Sequence, residues 1–325
     1  MSSDGPYRAA HEGALVLDPG RGVVVVAGSD RCSFLHALLS NDIARLTPGT
    51  GTYAAYLTPQ GRMITDMRVI ETGSEILLGV ERDIAAGLAA RLDKLVFSED
   101  VQVRDATAET TVLEVIGPGS IEVIEAATAL SAADLEALQI YDNRRTGRGD
   151  LVVRESLGST VVFDIYASSA YADELRSSLT GAHAVSGDFQ TREVLRLEAG
   201  VPRFGVDMDQ DTIPLEAGLE SRAISTTKGC YVGQEVIVRV LHRGHGRVAR
   251  RLVSIAIDGD RVPGHGDVVS AAGHAVGNVT SAVLSPMLRS ALALGYVQRD
   301  YIDPGTRLSI STGDETLEAR VRQVI

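Results

Sequence analysis

Hydrophobic runs bounded by glycine organise the first part of the chain. The run G-V-V-V-V-A-G at 22–28 is continuous and β-branched, which predicts a buried strand. Asp30 follows at a helix N-cap position, and the next apolar residues share one helical face until Thr47-Pro48-Gly49 ends the predicted helix. The same reasoning predicts strands over 53–57, 63–70 and 75–80 and a helix over 82–95.

A similar order of elements recurs in the middle of the chain. Strands are predicted over 111–117, 151–154 and 160–166, with helices near 120–130 and 169–180. Two successive strand–helix–strand–strand–helix units are typical of two α+β domains with mostly antiparallel sheets.

From about Arg250 onward the pattern changes to short strands separated by turns that contain Asp-Gly, Ala-Gly or Pro-Gly. Many short strands with such turns, and without a helical period, indicate a small β-barrel. The predicted division is a first α+β domain over 1–110, a second over 111–245 and a C-terminal β-barrel over 246–325.

Composition and charge narrow the possible classes of function. The 325 residues carry a formal net charge of −12, which argues against a nucleic-acid partner held by counterion release. Two cysteines do not make a disulfide framework in a chain of this length, and the N-terminal residues lack a signal-peptide pattern. No apolar run approaches the roughly 20 residues of a membrane span. We therefore expect a reduced, soluble, cytoplasmic protein without a membrane or direct nucleic-acid partner.

The segment K-G-C-Y-V-G-Q-E at 228–235 holds one of the two cysteines, Cys230. Gly229 and Gly233 on either side allow the backbone to bend closely around a ligand or to adopt a positive φ. Free cysteine is nevertheless among the most buried and inert residue types, so the residues alone also allow a packing role.

Several neighbours of Cys230 in the chain would favour a reactive thiolate. Lys228 and Arg239 are positive charges, and a nearby positive charge favours the thiolate over the thiol. Gln234 and Glu235 are placed to open a helix, whose first amide groups would lower the pKa of a thiol further. These residues make Cys230 a candidate catalytic thiol.

The spacing of potential ligands predicts no metal site made by this chain alone. Neither C-x-x-C nor H-x-x-x-H occurs, and His242 and His245 stand only three positions apart in a Gly-Arg loop. A nucleophile pair of Cys230 and His242 would lack an evident third residue to orient the base.

At this point the residues resemble a known family. K-G-C-Y-V-G-Q-E is similar to the signature of the YgfZ family, folate-binding proteins tied to iron–sulfur cluster assembly and repair. Three further segments resemble both that family and its relative, the glycine-cleavage aminomethyltransferase or T-protein: R-G-V-V-V-V-A-G-S-D-R-C-S-F-L-H-A-L-L-S-N-D-I, L-T-P-Q-G-R-M-I-T-D, and L-E-A-G-V-P-R-F-G-V-D with P-L-E-A-G-L.

The resemblance implies an α+β, aminomethyltransferase-like fold and tetrahydrofolate, or a one-carbon derivative of it, as cofactor. It makes Asp66 the pocket aspartate and Glu198 the carboxylate that hydrogen-bonds the pterin ring, a task that one carboxylate can perform bidentately. Arg239 would pair with the glutamate tail of the folate or with the Cys230 loop. The remaining residues of the signature expected at the folate site are Lys228, Tyr231, Gln234 and Glu235. From the residues alone, Asp66, Glu198 and Arg239 could equally be exposed surface charges.

The predicted function is tetrahydrofolate binding in support of iron–sulfur cluster assembly or repair, with Cys230 as the essential thiol. Iron–sulfur client or assembly proteins, including tRNA-modifying enzymes, would be the partners. Thr65 replaces the first aspartate of the T-protein's I-D-D, and the T-protein lacks K-G-C-Y-x-G-Q-E; both differences favour YgfZ.

Two alternatives remain open at this stage. One is a folate-dependent aminomethyltransferase in which Asp66 promotes attack by a folate nitrogen; the other is an interaction module that has lost folate. Whether the chain turns over a substrate is not decided by its residues.

The run V-I-V-R-V at 236–240 has strand propensity, but the resemblance implies a helix there, and we expect the helix.

Overall fold

The computed structural model describes residues 4–243 and 246–325. Over these residues the α-helices are α1 (Asp4–Glu12), α2 (Arg31–Leu38), α3 (Ala85–Asp93), α4 (Ser120–Thr128), α5 (Ala132–Glu136), α6 (Ala172–Gly181), α7 (Phe189–Glu198), α8 (Glu220–Ala223) and α9 (Gln234–Val238). The strands are β1 (Leu15–Leu17), β2 (Arg21–Ala27), β3 (Gly51–Leu57), β4 (Met63–Glu71), β5 (Glu75–Glu81), β6 (Gln102–Asp105), β7 (Thr110–Ile116), β8 (Asn143–Arg145), β9 (Leu151–Leu157), β10 (Thr160–Ser168), β11 (Val185–Ser186), β12 (Arg250–Ile257), β13 (Val268–Ala271), β14 (His274–Ser285), β15 (Ser290–Gln298), β16 (Arg307–Thr312) and β17 (Glu315–Val324).

These strands form three sheets. One has five strands in the order β3-β4-β5-β2-β6, a second has six in the order β11-β1-β7-β10-β9-β8, and β12 to β17 close into a six-stranded barrel. In the six-stranded sheet and the barrel, neighbouring strands are antiparallel except β1 and β11, and in the five-stranded sheet β5 pairs antiparallel with β2 and β4, and β6 with β2. The predicted α+β fold with antiparallel sheets and a C-terminal barrel is confirmed.

The helix predicted after β2 is shorter than its apolar pattern suggests. Asp30 stands at the N-cap of α2, but its carboxylate accepts a hydrogen bond from the Asp100 backbone N–H at 2.8 Å instead of capping the helix. The chain becomes extended at Leu39, and Ile43 is buried from a separate 3₁₀ turn. Residues of two elements therefore share the helical spacing that we read as one helix.

The chain divides into two compact units, and both are discontinuous in sequence. Unit 1 comprises the chain up to Ala54, Asp66–Arg192 and Ser225–Gly229. Unit 2 comprises Ala55–Thr65, Glu193–Ile224 and Cys230–Ile325. The three-domain division over 1–110, 111–245 and 246–325 stays a prediction.

A buried ionic cluster lies between the two sheets of unit 1. Arg21 on β2 contacts Asp164 on β10 (Nε to Oδ2, 2.5 Å) and Glu114 on β7 (3.4 Å). Arg68 on β4 contacts Glu155 on β9 (Nε to Oε1, 2.9 Å). Burial raises the pKa of Asp164 to about 7, and Arg21 opposes that shift. The arginines of this cluster therefore stabilise the ionised form of its carboxylates against the desolvation penalty of burial.

In unit 2, the buried carboxylate of Asp207 links α7 and the loop that follows it to the barrel. Asp207 accepts hydrogen bonds from the Arg196 guanidinium at 2.7 Å and from the hydroxyls of Thr280 and Ser281, each at 2.6 Å. Alongside it, Leu197 of α7 packs in a buried cluster with leucines of β12 and β15. The loop after α7 is thus fixed by polar and apolar contacts to the barrel strands.

Replacing Arg21 with methionine should lower the free energy of unfolding by about 3–5 kcal/mol, because it leaves buried carboxylates without their cation. The loss of stability should be larger at pH 8 than at pH 5.5. The carboxylates that lose Arg21 have a smaller free-energy cost of burial when they are protonated. Urea denaturation at both pH values measures this loss of stability.

Arg104→Met is the matched control, because Arg104 and Glu109 form an exposed pair at 3.1 Å. It should change the stability by less than about 1 kcal/mol. Equal losses for the two variants, or a loss at Arg21 that does not depend on pH, would contradict the role given to the buried cluster.

Candidate functional site

Asp66 is a buried carboxylate in unit 1. It lies on β4, is 6% exposed and accepts a hydrogen bond from the phenol of Tyr53 on β3. The Arg68 guanidinium lies over the Tyr53 ring at 5.6 Å, and Tyr141 stacks on the same ring at 5.9 Å. Asp66 is therefore not the exposed strand residue that its sequence alone allowed. Tyr53, which our sequence analysis missed, fixes the carboxylate.

Glu198 is the last residue of α7, in unit 2. Its Oε1 accepts a hydrogen bond from the Ser285 hydroxyl at 2.6 Å, and its backbone carbonyl accepts one from Arg322 at 3.1 Å. Gly200, with a φ of +69°, turns the chain just beyond the helix. Ser285 had no sequence signal that connected it to Glu198, since 87 positions separate them.

Lys228, the first residue of the signature, is held within unit 1. Its ammonium donates to the backbone carbonyls of His36 (2.5 Å), Leu39 (2.6 Å) and Asn41 (3.0 Å), in the last turn of α2 and just beyond it. Burial lowers the pKa of Lys228 to about 8. An ammonium has three N–H groups, and these bonds use all three. The geometry therefore gives no support to the argument that Lys228 stabilises a Cys230 thiolate, and a folate contact would have to break one of the bonds.

The next residues of the signature differ in their exposure. Cys230 is exposed, whereas Tyr231 is buried, and burial raises the pKa of Tyr231 to about 12. Gln234 begins α9 and a π-helical turn, Arg239–Arg243, follows, so the expected helix is confirmed over the strand propensity of V-I-V-R-V. Glu235 and Arg239 are exposed.

Two glycines of different motifs lie against each other in unit 2. Gly233 has a φ of +82°, and a Cβ there would stand 2.5 Å from the Thr58 carbonyl oxygen and 3.2 Å from the Gly61 Cα. A Cβ at Gly61 would stand 2.8 Å from the Cβ of Val236. The turn of L-T-P-Q-G-R thus packs directly on the G-Q-E part of the signature. Gly229 has open space around it, so only one of the two glycines beside Cys230 is required by packing.

The second cysteine, Cys32, has a different environment from Cys230. It is half-buried in α2 and its thiol donates to the Glu71 carboxylate at 3.4 Å. Burial, together with this carboxylate, raises the pKa of Cys32. Cys32 is therefore held as a protonated thiol.

Within residues 4–243 and 246–325, no group of three or more His, Cys, Asp or Glu side chains has a metal-binding arrangement. No helix in the same residues is long and apolar enough to cross a membrane. His245 and the side chain of His242, which we considered as ligands, lie outside the described residues.

Comparison with known proteins gives the same family along most of the chain. The profile of the GCVT N-terminal domain matches residues 7–228, and that of the glycine cleavage T-protein C-terminal barrel domain matches residues 250–324. The aminomethyltransferase of Rubrobacter xylanophilus is 30% identical over 279 residues, which are 85% of this chain and 73% of that protein. The aminomethyltransferase of Rippkaea orientalis is 27% identical over 310 residues, 92% of this chain and 82% of that protein.

A solved structure supports the fold. The crystal structure of glycine cleavage system aminomethyltransferase T from Bartonella henselae superimposes with a TM-score of 0.88 at 22% identity, covering 98% of this chain and 87% of that one. The predicted aminomethyltransferase-like architecture is confirmed.

The predicted role in iron–sulfur cluster assembly or repair is wrong. The similar proteins are named aminomethyltransferases, and their similarity extends over most of the chain, whereas YgfZ was favoured only by the eight-residue signature and by Thr65. These comparisons support the wider superfamily and not the YgfZ family within it, and they give no support to iron–sulfur partners or tRNA modification.

The two cysteines should differ in their reaction with a thiol reagent at pH 7.5. We expect one equivalent to react fast at exposed Cys230, and a slow second phase at Cys32, whose raised pKa leaves little thiolate. Stopped-flow absorbance with an aromatic disulfide measures both phases. Cys230→Ser should remove the fast phase and Cys32→Ser the slow one; a single rate for both thiols would contradict this assignment.

Gly233→Ala should lower the free energy of unfolding by about 2 kcal/mol or more, because the new Cβ meets the Thr58 carbonyl and the positive φ disfavours alanine. Gly229→Ala is the matched control within the same motif and should stay within about 0.5 kcal/mol of the wild type. Chemical denaturation compares them, and an equal effect of both substitutions would rule out the packing described between Gly233 and Gly61.

Proposed function

Because the chain belongs to the glycine cleavage T-protein family, we propose that it is a folate-dependent aminomethyltransferase. Tetrahydrofolate is the one-carbon acceptor of this family. The proposed donor is an aminomethyl group on a lipoyl-carrier protein. Its carbon exchanges bonds to the carrier sulfur and the amino nitrogen for bonds to two folate nitrogens, so methylene-folate forms and ammonia and the carrier thiol are released.

The environment of Asp66 is the observation that most supports this function. A folate nitrogen that attacks carbon must lose a proton, and a positioned carboxylate can orient the N–H group and accept that proton. Asp66 is 6% exposed, so its interaction with a bound N–H would be only weakly screened by water. The Tyr53 phenol holds one carboxylate oxygen and thereby limits the orientations of the group. We assign Asp66 the role of promoting attack by the folate nitrogen.

Glu198 is proposed to recognise the pterin ring of the folate. A 2-amino-4-oxo pterin edge presents two N–H donors side by side, and one carboxylate can accept both. Glu198 stands in the L-E-A-G segment within the span matched by the family profile. The contact with Ser285 shows that its carboxylate already has a defined position in unit 2.

The other site residues that the sequence analysis named remain predictions. The exposed thiol of Cys230 is accessible to a reagent, and the exposed guanidinium of Arg239 is available to the folate's glutamate tail. The other signature residues predicted to contact folate are Lys228, Tyr231, Gln234 and Glu235. A Cys230→Ser variant that retains full transfer activity would give the thiol a role outside the reaction.

The proposal is tested by incubating the protein with an aminomethylated lipoyl-carrier protein and tetrahydrofolate, and by measuring methylene-folate. We expect Asp66→Asn to lower kcat at least about 100-fold, the usual size of an acid–base contribution. Glu198→Gln should raise KM for tetrahydrofolate about tenfold, because a hydrogen bond to a charged group is lost.

Asp83→Asn is the control, since Asp83 is an exposed carboxylate in the turn after β5. It should leave both constants unchanged. If the wild-type protein binds reduced folate but forms no methylene-folate, the proposed reaction is wrong. If it shows no saturable folate binding, the chain is better described as an interaction module of this fold.

A further inference from the structure

Ser285 is the last residue of β14 and is completely buried. Its Oγ accepts a hydrogen bond from the backbone N–H of Leu288 at 3.1 Å and donates one to Glu198 Oε1 at 2.6 Å. A serine hydroxyl has a single hydrogen and two lone pairs. Because Leu288 occupies a lone pair, the one hydrogen is directed to the Glu198 carboxylate.

The local backbone explains why this serine is fixed. Ser285 pairs with Ser290 at the last register position of the β14–β15 hairpin, and Pro286 then begins the turn. The hydroxyl closes this turn by accepting from Leu288, two residues beyond the proline. Its position is set by the barrel hairpin and is therefore independent of the helix that carries Glu198.

The contact matches a hydrogen bond to a charged acceptor. O–H donors approach ionised carboxylates at about 2.5–2.7 Å, and the observed distance is 2.6 Å. A glutamate side chain has three torsions, and a ligand that must order them loses affinity unless the protein has already done so. Each carboxylate oxygen also has two lone pairs, so the bond to Ser285 is compatible with bidentate recognition of a ligand.

We infer that Ser285 is a positioning residue that pre-orients the Glu198 carboxylate for the pterin edge of tetrahydrofolate. The inference rests on the proposed function, since it gives Glu198 the pterin as its ligand. It adds a residue of the barrel to the folate-binding machinery that acts without touching the folate.

The end of α7 does not depend on this one bond. The Arg322 guanidinium donates to the Glu198 backbone carbonyl at 3.1 Å, and Leu197 is buried in the cluster against the barrel. Removal of the Ser285 hydroxyl should therefore take away one contact that orients the carboxylate and leave the helix in place. A positioning role predicts a change in folate affinity that is larger than any change in stability.

The experiment is an anaerobic calorimetric titration of tetrahydrofolate into the wild type, Ser285→Ala, Glu198→Gln and the double variant. Ser285→Ala should weaken binding about tenfold in the wild-type background and should have no further effect once Glu198 is glutamine. In the transfer assay it should raise KM about tenfold and leave kcat within twofold, because Asp66 is untouched. Ser290→Ala, at the paired position across the hairpin, is the matched control and should bind as the wild type.

The outcomes separate the two proposals. Absence of tetrahydrofolate binding by the folded wild type would overturn the proposed function itself. Binding that depends on Glu198 but is unchanged in Ser285→Ala would overturn only the positioning role, as would an equal loss with and without Glu198→Gln. Should Ser285→Ala unfold, shown by its circular dichroism, Ser285→Cys replaces it: the thiol keeps the volume but is a weak donor, and wild-type affinity in that folded variant would also count against the inference.

Discussion

The packing of the two sheets in unit 1 is constrained by buried charges of opposite sign. Cations on the five-stranded sheet meet carboxylates on the six-stranded sheet, with Arg21 and Arg68 facing Glu114, Glu155 and Asp164. An unpaired charge of either sign would be strongly destabilising in this interior. The relative position of the two sheets is therefore restricted to arrangements that pair the charges. Arg68 extends the constraint to the site, because it also lies over Tyr53, the residue that holds Asp66. Asp66 and Arg68 are two positions apart on β4 and so project to the same face.

Unit 2 uses contacts between distant segments in place of such a cluster. Asp207 accepts donors from α7 and β14, and Gly233 packs against the turn that contains Gly61. In each case a short motif is shaped by a segment far away in the chain. The proposed pterin carboxylate follows the same rule, because its partner Ser285 comes from a barrel hairpin.

The sequence predicted the elements whose local pattern and environment agree. The β-branched run at 22–28 became β2, and the turn-rich C-terminal region became the closed barrel. Reasoning from neighbouring residues fails where distant contacts decide. Valine and isoleucine propensity alone favours a strand after Gly233, and the family resemblance was needed to predict the helix that forms there as α9. Lys228 was interpreted from its neighbour Cys230, whereas its partners lie near residue 40. The functional prediction chose YgfZ over the T-protein on the eight-residue signature and on Thr65, and the similarity of most of the chain to aminomethyltransferases reversed that choice.

The interleaving of the two units has a consequence for how the chain is made. The Ala55–Thr65 segment leaves the ribosome early, but the residues with which it forms unit 2 begin only at Glu193. Unit 1 in turn lacks its Ser225–Gly229 segment, with the three hydrogen bonds of Lys228, until most of the chain has been synthesised. Domains usually fold one after another during translation, each as it emerges. Here neither unit can be completed in that way, so a nascent chain holds a strand hairpin whose tip has no native neighbour for most of its synthesis. A translational pause before Glu193 emerges would prolong the time that this hairpin tip spends without its native neighbours. A chaperone acting at that stage would bind the hairpin before those neighbours exist.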